Sequence, residues 1–228
     1  MKVGVYTGTF NPIHIGHLIV IIFAIENYNL DLLYVVPNKY PVHKKRKHMI
    51  DPETRLKMIE LSIQSLIYKN RIKVSDFEIK NPLDSYTFYT IEHFRNIHPS
   101  DQIFYIVGLD SLLFYHWHNF ELIYKLVDKF VVINTLEVEG NLLDFLQNKL
   151  KELYSLNKEH NSELLNMIEY NYEGIEEKFL LLNIPIIKIS SSLIWERLES
   201  GKAIDYMVNE KVKLILYKMV ALKQEETL

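Results

Sequence analysis

The chain has 228 residues, of which 48% are hydrophobic and 24% are charged, a composition typical of one globular domain. A formal net charge of -3 gives no general attraction to nucleic acid or to anionic membranes, so any nucleotide site must be local. Cysteine is absent, which excludes disulfides, thiolate zinc sites and cysteine catalysis. The apolar run 18–25 is too short to span a bilayer, and we expect a cytoplasmic protein without membrane contact.

The first predicted elements are a strand over 3–6, a glycine- and proline-containing turn, and a helix over 16–28. This order places backbone N–H groups and a helix N-terminus in front of an anion. His14 and His17 add donors at the same spot, and Gly16 between them lets a substrate approach closely. The alternative is that the histidines only cap the helix. No serine or cysteine nucleophile accompanies the turn, so it predicts a polyphosphate site that works by charge stabilisation.

A second strand over 32–36 stops at Pro37 and is followed by a basic loop. A run of this kind is usually solvated, and a nuclear-import signal is another possibility. Because the loop leaves the strand end beside the first turn, we expect His43 and Lys44 to reach nucleotide phosphates. Lys45 to Lys47 are expected to be solvated. Asp51, followed by Pro52, then opens the next helix.

The remaining predicted elements alternate between strands over 72–74, 103–107, 130–133 and 184–189 and helices such as 86–97. Alternation with fully apolar strands indicates a parallel sheet that is covered on both faces. The predicted fold class is therefore α/β, a doubly wound Rossmann-like parallel sheet with helices on both faces. Ligands of such sheets bind at the carboxyl ends of strands near the switch point, where the first turn lies.

The segment 137–182 breaks this alternation, because it is polar, longer than a crossover needs, and amphipathic in parts. We expect one domain over 1–228 with a helical insertion at 137–182. A lid, a contact in a homo-oligomer and an outer pair of covering helices are all open roles for this insertion.

Three later turns carry residue types that suit a nucleotide. The hydroxyls of 85–87 start a helix, where they serve capping and burial. Gly108 follows a buried strand and allows close approach, while Asp110 can hold a ribose hydroxyl or a cation. Trp117 has polar neighbours, which favours stacking on a flat ring over a core position. The serines of 190–192 open a helix after an apolar strand and make a second phosphate cradle.

Together these segments resemble the nicotinate (nicotinamide) mononucleotide adenylyltransferases of the nucleotidyltransferase superfamily. The run 8–17 (GTFNPIHIGH) carries the His-x-Gly-His signature in the form close to that of this family. The segment 41–44 resembles its Pro-x-His-Lys motif, and the helix beginning Arg55-Leu56-Lys57-Met58 resembles its Arg-x-x-Met helix. The segments 85–90, 108–117 and 189–194 resemble its Ser-Tyr-Thr, Gly-x-Asp-Ser-Leu…Trp and Ile-Ser-Ser motifs.

The resemblance implies an enzyme of NAD biosynthesis that joins ATP and nicotinate mononucleotide into nicotinate adenine dinucleotide and releases pyrophosphate. Mg²⁺ would be bound through the ATP phosphates, with no protein ligand for the metal. It implies catalysis by His14, His17 and Lys44. It implies ATP and phosphate contacts from Gly8, Thr9, Phe10, Gly16, His43, Ser190, Ser191 and Ser192. It implies mononucleotide contacts from Asn11, Ser85, Tyr86, Thr87, Gly108, Asp110 and Trp117.

The chain departs from the family pattern at Asn134 and Trp195, where relatives commonly carry arginine. Lys44 and Lys188 are the candidates for replacing the lost charge, while Arg197 is expected to face away. These departures leave a degenerate nucleotide-binding or regulatory protein as one alternative. Nicotinamide mononucleotide as the main substrate, a phosphopantetheine adenylyltransferase and a cytidylyltransferase are others. A class I aminoacyl-tRNA synthetase is disfavoured, because the chain has no Lys-Met-Ser-Lys-Ser loop.

Overall fold

The structure is a computed structural model that describes residues 1–40, 48–81, 86–114, 117–136, 138, 140–156, 158–170, 172–185 and 187–225. Its strands are β1 (Lys2–Gly8), β2 (Leu32–Pro37), β3 (Ile72–Val74), β4 (Gln102–Gly108), β5 (Lys129–Ile133) and β6 (Phe179–Leu182). They form one sheet in the order β3-β2-β1-β4-β5-β6, and every adjacent pair is parallel. The order reverses between β1 and β4, so the switch point of a doubly wound sheet lies at the carboxyl ends of these two strands.

Helices connect the strands and cover both faces of the sheet. They are α1 (Ile15–Tyr28), α2 (Pro52–Ile63), α3 (Phe77–Lys80), α4 (Thr87–Ile97), α5 (Leu109–Phe114), α6 (Phe120–Leu126), α7 (Leu142–Ser155), α8 (Ser162–Glu169), α9 (Ile175–Lys178), α10 (Ser191–Glu199) and α11 (Glu210–Glu225). The predicted cap of α2 is confirmed, because the Asp51 carboxylate accepts a hydrogen bond from the Thr54 N–H at 2.9 Å. In the described part of the chain, no helix has the length and apolar character needed to cross a membrane.

Two apolar cores lie on opposite faces of the sheet, as expected for strands that are apolar throughout. One core joins the sheet to α1, α2, α10 and α11. The other joins it to α4, α5, α6, α7 and α8. Neighbouring residues of β4 show the alternation, since Phe104 and Ile106 face the first core while Tyr105 and Val107 face the second. The predicted α/β class is confirmed.

The predicted strand over 184–189 is wrong. The sixth strand is β6, which lies inside the segment predicted as a helical insertion. Pro185 lacks a backbone N–H and cannot donate to a strand ladder, whereas the apolar run of β6 pairs with β5 along its whole length. Ile184 and Ile189 are apolar for another reason, because they are partly buried against the first core.

The described part of the segment 137–182 also contains the helices α7, α8 and α9. Leu146, Leu150 and Leu153 of α7 are buried, and Leu164 of α8 joins the same core. Both helices therefore cover the second face of the sheet, which is the covering arrangement among the roles left open. The division into one domain with an insertion stays a prediction.

Candidate active site

A cleft of about 520 Å³ opens at the carboxyl ends of β1 and β4, where the switch point lies. It brings together residues from separate predicted motifs along the chain. The predicted site residues that line it are Gly8, Thr9, Phe10, His14, Gly16, His17, Tyr86, Thr87, Gly108, Asp110, Trp117, Ser190 and Ser191. Three further predicted residues, His43, Lys44 and Ser85, lie outside the described residues.

The turn after β1 presents mainly its backbone to the cleft. Phe10 has a left-handed φ of 46°, and its side chain is buried, so little of the ring is exposed to the cleft. The ring lies against Gly8, where an added Cβ would come within 3.0 Å of the Phe10 Cζ. A side chain at position 8 would therefore crowd the Phe10 ring.

The two histidines form a stacked pair whose ring centroids are 3.7 Å apart at an interplanar angle of 28°. The His14 backbone N–H donates to the His17 Nδ1 at 3.2 Å, so a neutral His17 carries its hydrogen on Nε2. Burial lowers the pKa of His14 to about 4, so this ring is neutral at pH 7. Its Nδ1 is buried and makes no hydrogen bond within the part of the chain that the structure describes.

The His14 ring occupies the space that a side chain at position 16 would enter. A Cβ at this position would lie 3.1 Å from the His14 Nδ1 and 3.2 Å from its Cε1. The sequence predicted that the glycine opens space for a substrate, and the structure shows that it first makes space for the neighbouring ring.

Asn11, predicted to contact the mononucleotide, is not among the residues that line the cleft. Its side chain is fully buried, its Nδ2 donates to the His48 carbonyl at 2.7 Å, and its Oδ1 accepts from the Ile50 N–H at 2.9 Å. The amide therefore ties the first turn to the segment that precedes α2, because its donor and its acceptor both have protein partners.

Arg55 holds the same region together from α2, with a side chain that is 0% exposed. Its guanidinium donates to four backbone carbonyls, at distances of 2.6 to 3.1 Å. These carbonyls belong to Thr9, Asn38, Lys39 and Ile50. Arg55 thus links the turn after β1 to the chain leaving β2, a role that sequence reasoning did not assign to it.

The predicted serine cradle at the start of α10 is built differently from expectation. The Ser190 Oγ accepts from the Leu193 N–H at 3.1 Å as the N-cap, and the Ser191 Oγ donates to the Pro12 carbonyl at 3.0 Å. Ser192 is exposed and does not line the cleft. Since two hydroxyls are already engaged, the helix N-terminus would offer a phosphate chiefly its backbone N–H groups.

Trp195 and Asn134 hold structural positions at the two places where family arginines are missing. The Trp195 indole is buried, donates to the Asn11 carbonyl at 3.1 Å and stacks on His48 with centroids 4.9 Å apart. The Asn134 side chain donates to Asn183 and accepts from the Val138 N–H. Neither is placed to contact a triphosphate.

The candidates for replacing the arginine charge are not found in the described part of the cleft. Arg197 donates to the Ala203 carbonyl at 2.7 Å and does not line the cleft, as predicted. Lys188 is exposed and does not line it either. Among the described lining residues there is no lysine or arginine, so the donors available there are histidines, neutral side chains and backbone N–H groups.

Trp117 is only 8% exposed, yet it lines the cleft. Its Nε1 donates to the Ser111 carbonyl at 3.0 Å, and its edges contact Tyr105 and Phe120 in T-shaped arrangements. Tyr86, whose ring lies 4.9 Å from that of His118, lines the cleft at the start of α4. The Trp117 indole is therefore part of the core and also part of the cleft lining, two positions that the sequence analysis treated as alternatives.

The Asp110 carboxylate folds back over the glycine that ends β4. An added Cβ at Gly108 would lie 2.5 Å from the Asp110 Oδ1, so a glycine is required for this arrangement. Burial and the Asp110 charge together raise the pKa of Tyr6 well above its usual value. Within the described residues, no group of three or more histidine, aspartate or glutamate side chains could hold a metal ion.

Sequence reasoning missed several polar residues of the cleft, among them Thr7, Asn38, Glu78, Tyr105 and Thr135. Thr7 and Tyr105 lie within strands, where alternation was treated only as a sign of burial. Glu78 is buried in the short helix α3, where its Oε1 accepts from the Thr90 hydroxyl at 2.6 Å. A lone acid between apolar residues is the one signal that pointed to it.

The doubly wound sheet, the stacked histidine pair at the switch point and a second helix N-terminus facing the same cleft define a nucleotide-binding α/β protein. The family model described as cytidylyltransferase-like matches residues 5–197, which is most of the chain. The chain belongs to this cytidylyltransferase-like family and, within it, to the nicotinate-nucleotide adenylyltransferases.

Two bacterial relatives, both named "Probable nicotinate-nucleotide adenylyltransferase", show the similarity over nearly the whole chain. The protein of Caldicellulosiruptor saccharolyticus is 34% identical over 216 residues, which cover 93% of this chain and 94% of the relative. The protein of Clostridium novyi is 31% identical over 219 residues, which cover 96% and 97%.

Among solved structures, the Plasmodium falciparum nicotinic acid mononucleotide adenylyltransferase complexed with NaAD superposes with a TM-score of 0.67. The match has 19% sequence identity and covers 96% of this chain and 97% of that one. At this level of identity the likeness concerns the fold.

Proposed function

We propose that the chain transfers AMP from ATP to nicotinate mononucleotide, which gives nicotinate adenine dinucleotide and pyrophosphate. The observation that carries the proposal is the convergence of two kinds of subsite in one cleft. The histidine pair and the α10 N-terminus suit phosphates, while Trp117 and the start of α4 suit a flat ring. The activity in the names of the bacterial relatives is the same one.

The transfer needs positioning and charge stabilisation rather than a protein nucleophile. A phosphate oxygen of the mononucleotide attacks the α-phosphorus of ATP and forms a new P–O bond. The bond from the α-phosphorus to the bridging oxygen breaks on the opposite side, and pyrophosphate leaves with the electron pair. Holding both phosphates in line removes much of the entropic barrier, and donors aimed at the developing charge remove more of it.

The two histidines serve the phosphates in different ways. His17 presents its Nε2–H as a fixed donor, because the backbone N–H of His14 holds its Nδ1. His14 is neutral in the free protein, and an adjacent phosphate would raise its pKa, so its charge would develop on binding. Two stacked cationic rings would otherwise repel each other at this distance.

Mg²⁺ fits this site as a partner of the nucleotide. The described residues supply no cluster of ligands, and Asp110 is a single carboxylate folded over Gly108. An ion bound mainly through phosphate oxygens and water needs no protein cage. When bound, it neutralises charge on the ATP phosphates and on the leaving pyrophosphate. We place this ATP-dependent biosynthetic step in the cytoplasm.

The test is release of pyrophosphate and formation of the dinucleotide from ATP and nicotinate mononucleotide, with nicotinamide mononucleotide in a parallel reaction. We expect both products in equal amounts with the acid, and no pyrophosphate when the mononucleotide is omitted. ATP binding without turnover of either mononucleotide would contradict the proposal and would favour a degenerate nucleotide-binding protein.

A further inference from the structure

Three hydroxyl groups lie together on the floor of the cleft, and the two that belong to strands were not assigned a role by the sequence motifs that define the nucleotide site. We call them the hydroxyl floor: Thr7 of β1, Tyr105 of β4 and the Thr87 side chain at the first residue of α4. The Tyr105 hydroxyl lies 2.9 Å from the Thr7 Oγ1, and the nearby Thr87 side chain acts on the pKa of Tyr105. All three residues line the cleft.

The hydroxyl floor has hydrogen-bonding capacity left over for a ligand. Three hydroxyls carry three hydrogens and six lone pairs, and the bond between Thr7 and Tyr105 uses one of these hydrogens among the described residues. Burial raises the pKa of Tyr105 to about 12, so the group is a neutral donor at any physiological pH. A ligand that accepts a hydrogen bond from this buried donor binds more tightly. A ligand that covers the donor without bonding to it binds more weakly.

The position of the hydroxyl floor points to the ring of the mononucleotide. The Tyr105 ring contacts the Trp117 indole edge to face, with centroids 6.1 Å apart. Trp117 is the aromatic surface on which a pyridine ring would stack, and Thr87 lies at the start of α4 beside it. A substituent on the stacked ring would therefore lie within reach of these hydroxyls. In the proposed function the phosphates, by contrast, are bound by the histidine pair.

We propose that Tyr105 is a specificity-determining residue of the mononucleotide subsite, whose hydroxyl, held by Thr7, donates a hydrogen bond to the oxygen-bearing substituent of the pyridine ring. This assignment rests on the proposed function. It explains why a tyrosine hydroxyl stands in a strand position that otherwise needs only an apolar side chain. A pyridine ring without the substituent would leave the donor unpaired.

The decisive variant is Tyr105→Phe, which removes one oxygen atom and keeps the ring against Trp117. The matched control is Tyr124→Phe, because Tyr124 is equally buried but donates to the Glu173 carbonyl outside the cleft. We expect Tyr105→Phe to raise KM for nicotinate mononucleotide about 10- to 100-fold, the loss expected for a hydrogen bond to a charged acceptor. KM for ATP and the melting temperature should stay as in the control.

A second substrate separates recognition from general damage to the subsite. The pyridinium ribose phosphate that lacks the ring substituent should be a poor substrate of the wild type, and Tyr105→Phe should leave its KM unchanged. Thr7→Val provides a second variant, with the same direction and a smaller effect. An equal rise of KM for both pyridine substrates, a rise for ATP as well, or no change for nicotinate mononucleotide would each overturn the assignment.

Calorimetry measures binding of the mononucleotide and does not depend on catalysis. If the wild type makes no dinucleotide, the proposed function fails. Titration of nicotinate mononucleotide into the wild type and Tyr105→Phe then still tests the subsite, because the assignment requires weaker binding by the variant. Equal affinities in an active or inactive protein would overturn the assignment alone.

Discussion

His14 and His17 lie three residues apart with stacked rings, and burial gives them different properties. His17 keeps a tautomer fixed by the backbone of His14, whereas His14 is desolvated to the point of being neutral. A histidine that is neutral without ligand does not repel its neighbour and gains charge only next to an anion. The site therefore stores little electrostatic strain before a phosphate arrives.

The lowered pKa of His14 makes stability depend on pH with a definite sign. The unfolded chain binds a proton at this residue below about pH 6.5, while the folded protein does so only below about pH 4. The folded state then binds fewer protons between these values, so the free energy of unfolding falls as pH decreases through this window. We predict that His14→Asn removes this pH dependence, which changes the free energy of unfolding by up to about 3 kcal/mol across the window.

Denaturant unfolding of the wild type and His14→Asn at pH 4, 5, 6 and 7 measures this contribution. His160→Asn is the control, because His160 does not line the cleft. Only the difference in slope between variants counts, since carboxylates titrate in the same range. Parallel curves for the wild type and His14→Asn would show that His14 is not held neutral by the fold.

At the scale of elements, α10 braces the turn after β1. Trp195 and Ser191 donate to the carbonyls of Asn11 and Pro12, while Asn11 also holds the segment that carries His48. The Trp195 ring stacks on His48, whose Nε2 lies 2.5 Å from the Glu199 carboxylate. Position 195, where the family resemblance leads us to expect an arginine, is thus part of the scaffold around the turn after β1.

Because α10 braces the turn in this way, we expect an arginine at position 195 to destabilise the protein. Trp195→Arg would bury a charge where the indole packs and would abolish the bond to the Asn11 carbonyl, so we expect a loss of about 3 kcal/mol in stability. Trp195→Phe should keep most of the stack on His48 and lose less. Thermal unfolding, together with the dissociation constant for an ATP analogue, checks both variants. A stable Trp195→Arg protein that binds the analogue more tightly would contradict the brace.

At the scale of the whole molecule, the periodicity of the sequence was sufficient to predict five strands of the sheet but not the sixth. Five strands were predicted at positions where apolar runs end in a turn, and each exists within two residues. The run 184–189 looks like a strand because its sequence is apolar, yet Ile184 and Ile189 pack against a core and, with Ile187, line the cleft. Periodicity reports burial, and only pairing with β5 distinguishes β6 from this segment.

Site residues that belong to a contiguous motif could be predicted from the sequence. Residues whose role depends on partners distant in the chain could not. The histidine turn, Trp117 and the start of α10 follow from contiguous motifs, and the cleft brings them together. Arg55 and Tyr105 could not be assigned, because their bonds reach residues 46 and 98 positions away in the chain. Such contacts exist only after the sheet has formed.

Transfer of label from ATP carrying ³²P at the α-position, in the wild type and His17→Ala, tests the central claim most directly. The claim is that the histidine turn stabilises the transfer of AMP to nicotinate mononucleotide. The account predicts label in the dinucleotide and none in pyrophosphate, with turnover lowered by about two to three orders of magnitude in His17→Ala. His160→Ala should match the wild type, and circular dichroism should show an intact fold in both variants. Near-normal turnover by a folded His17→Ala protein, or label that never reaches the dinucleotide in the wild type, would contradict it.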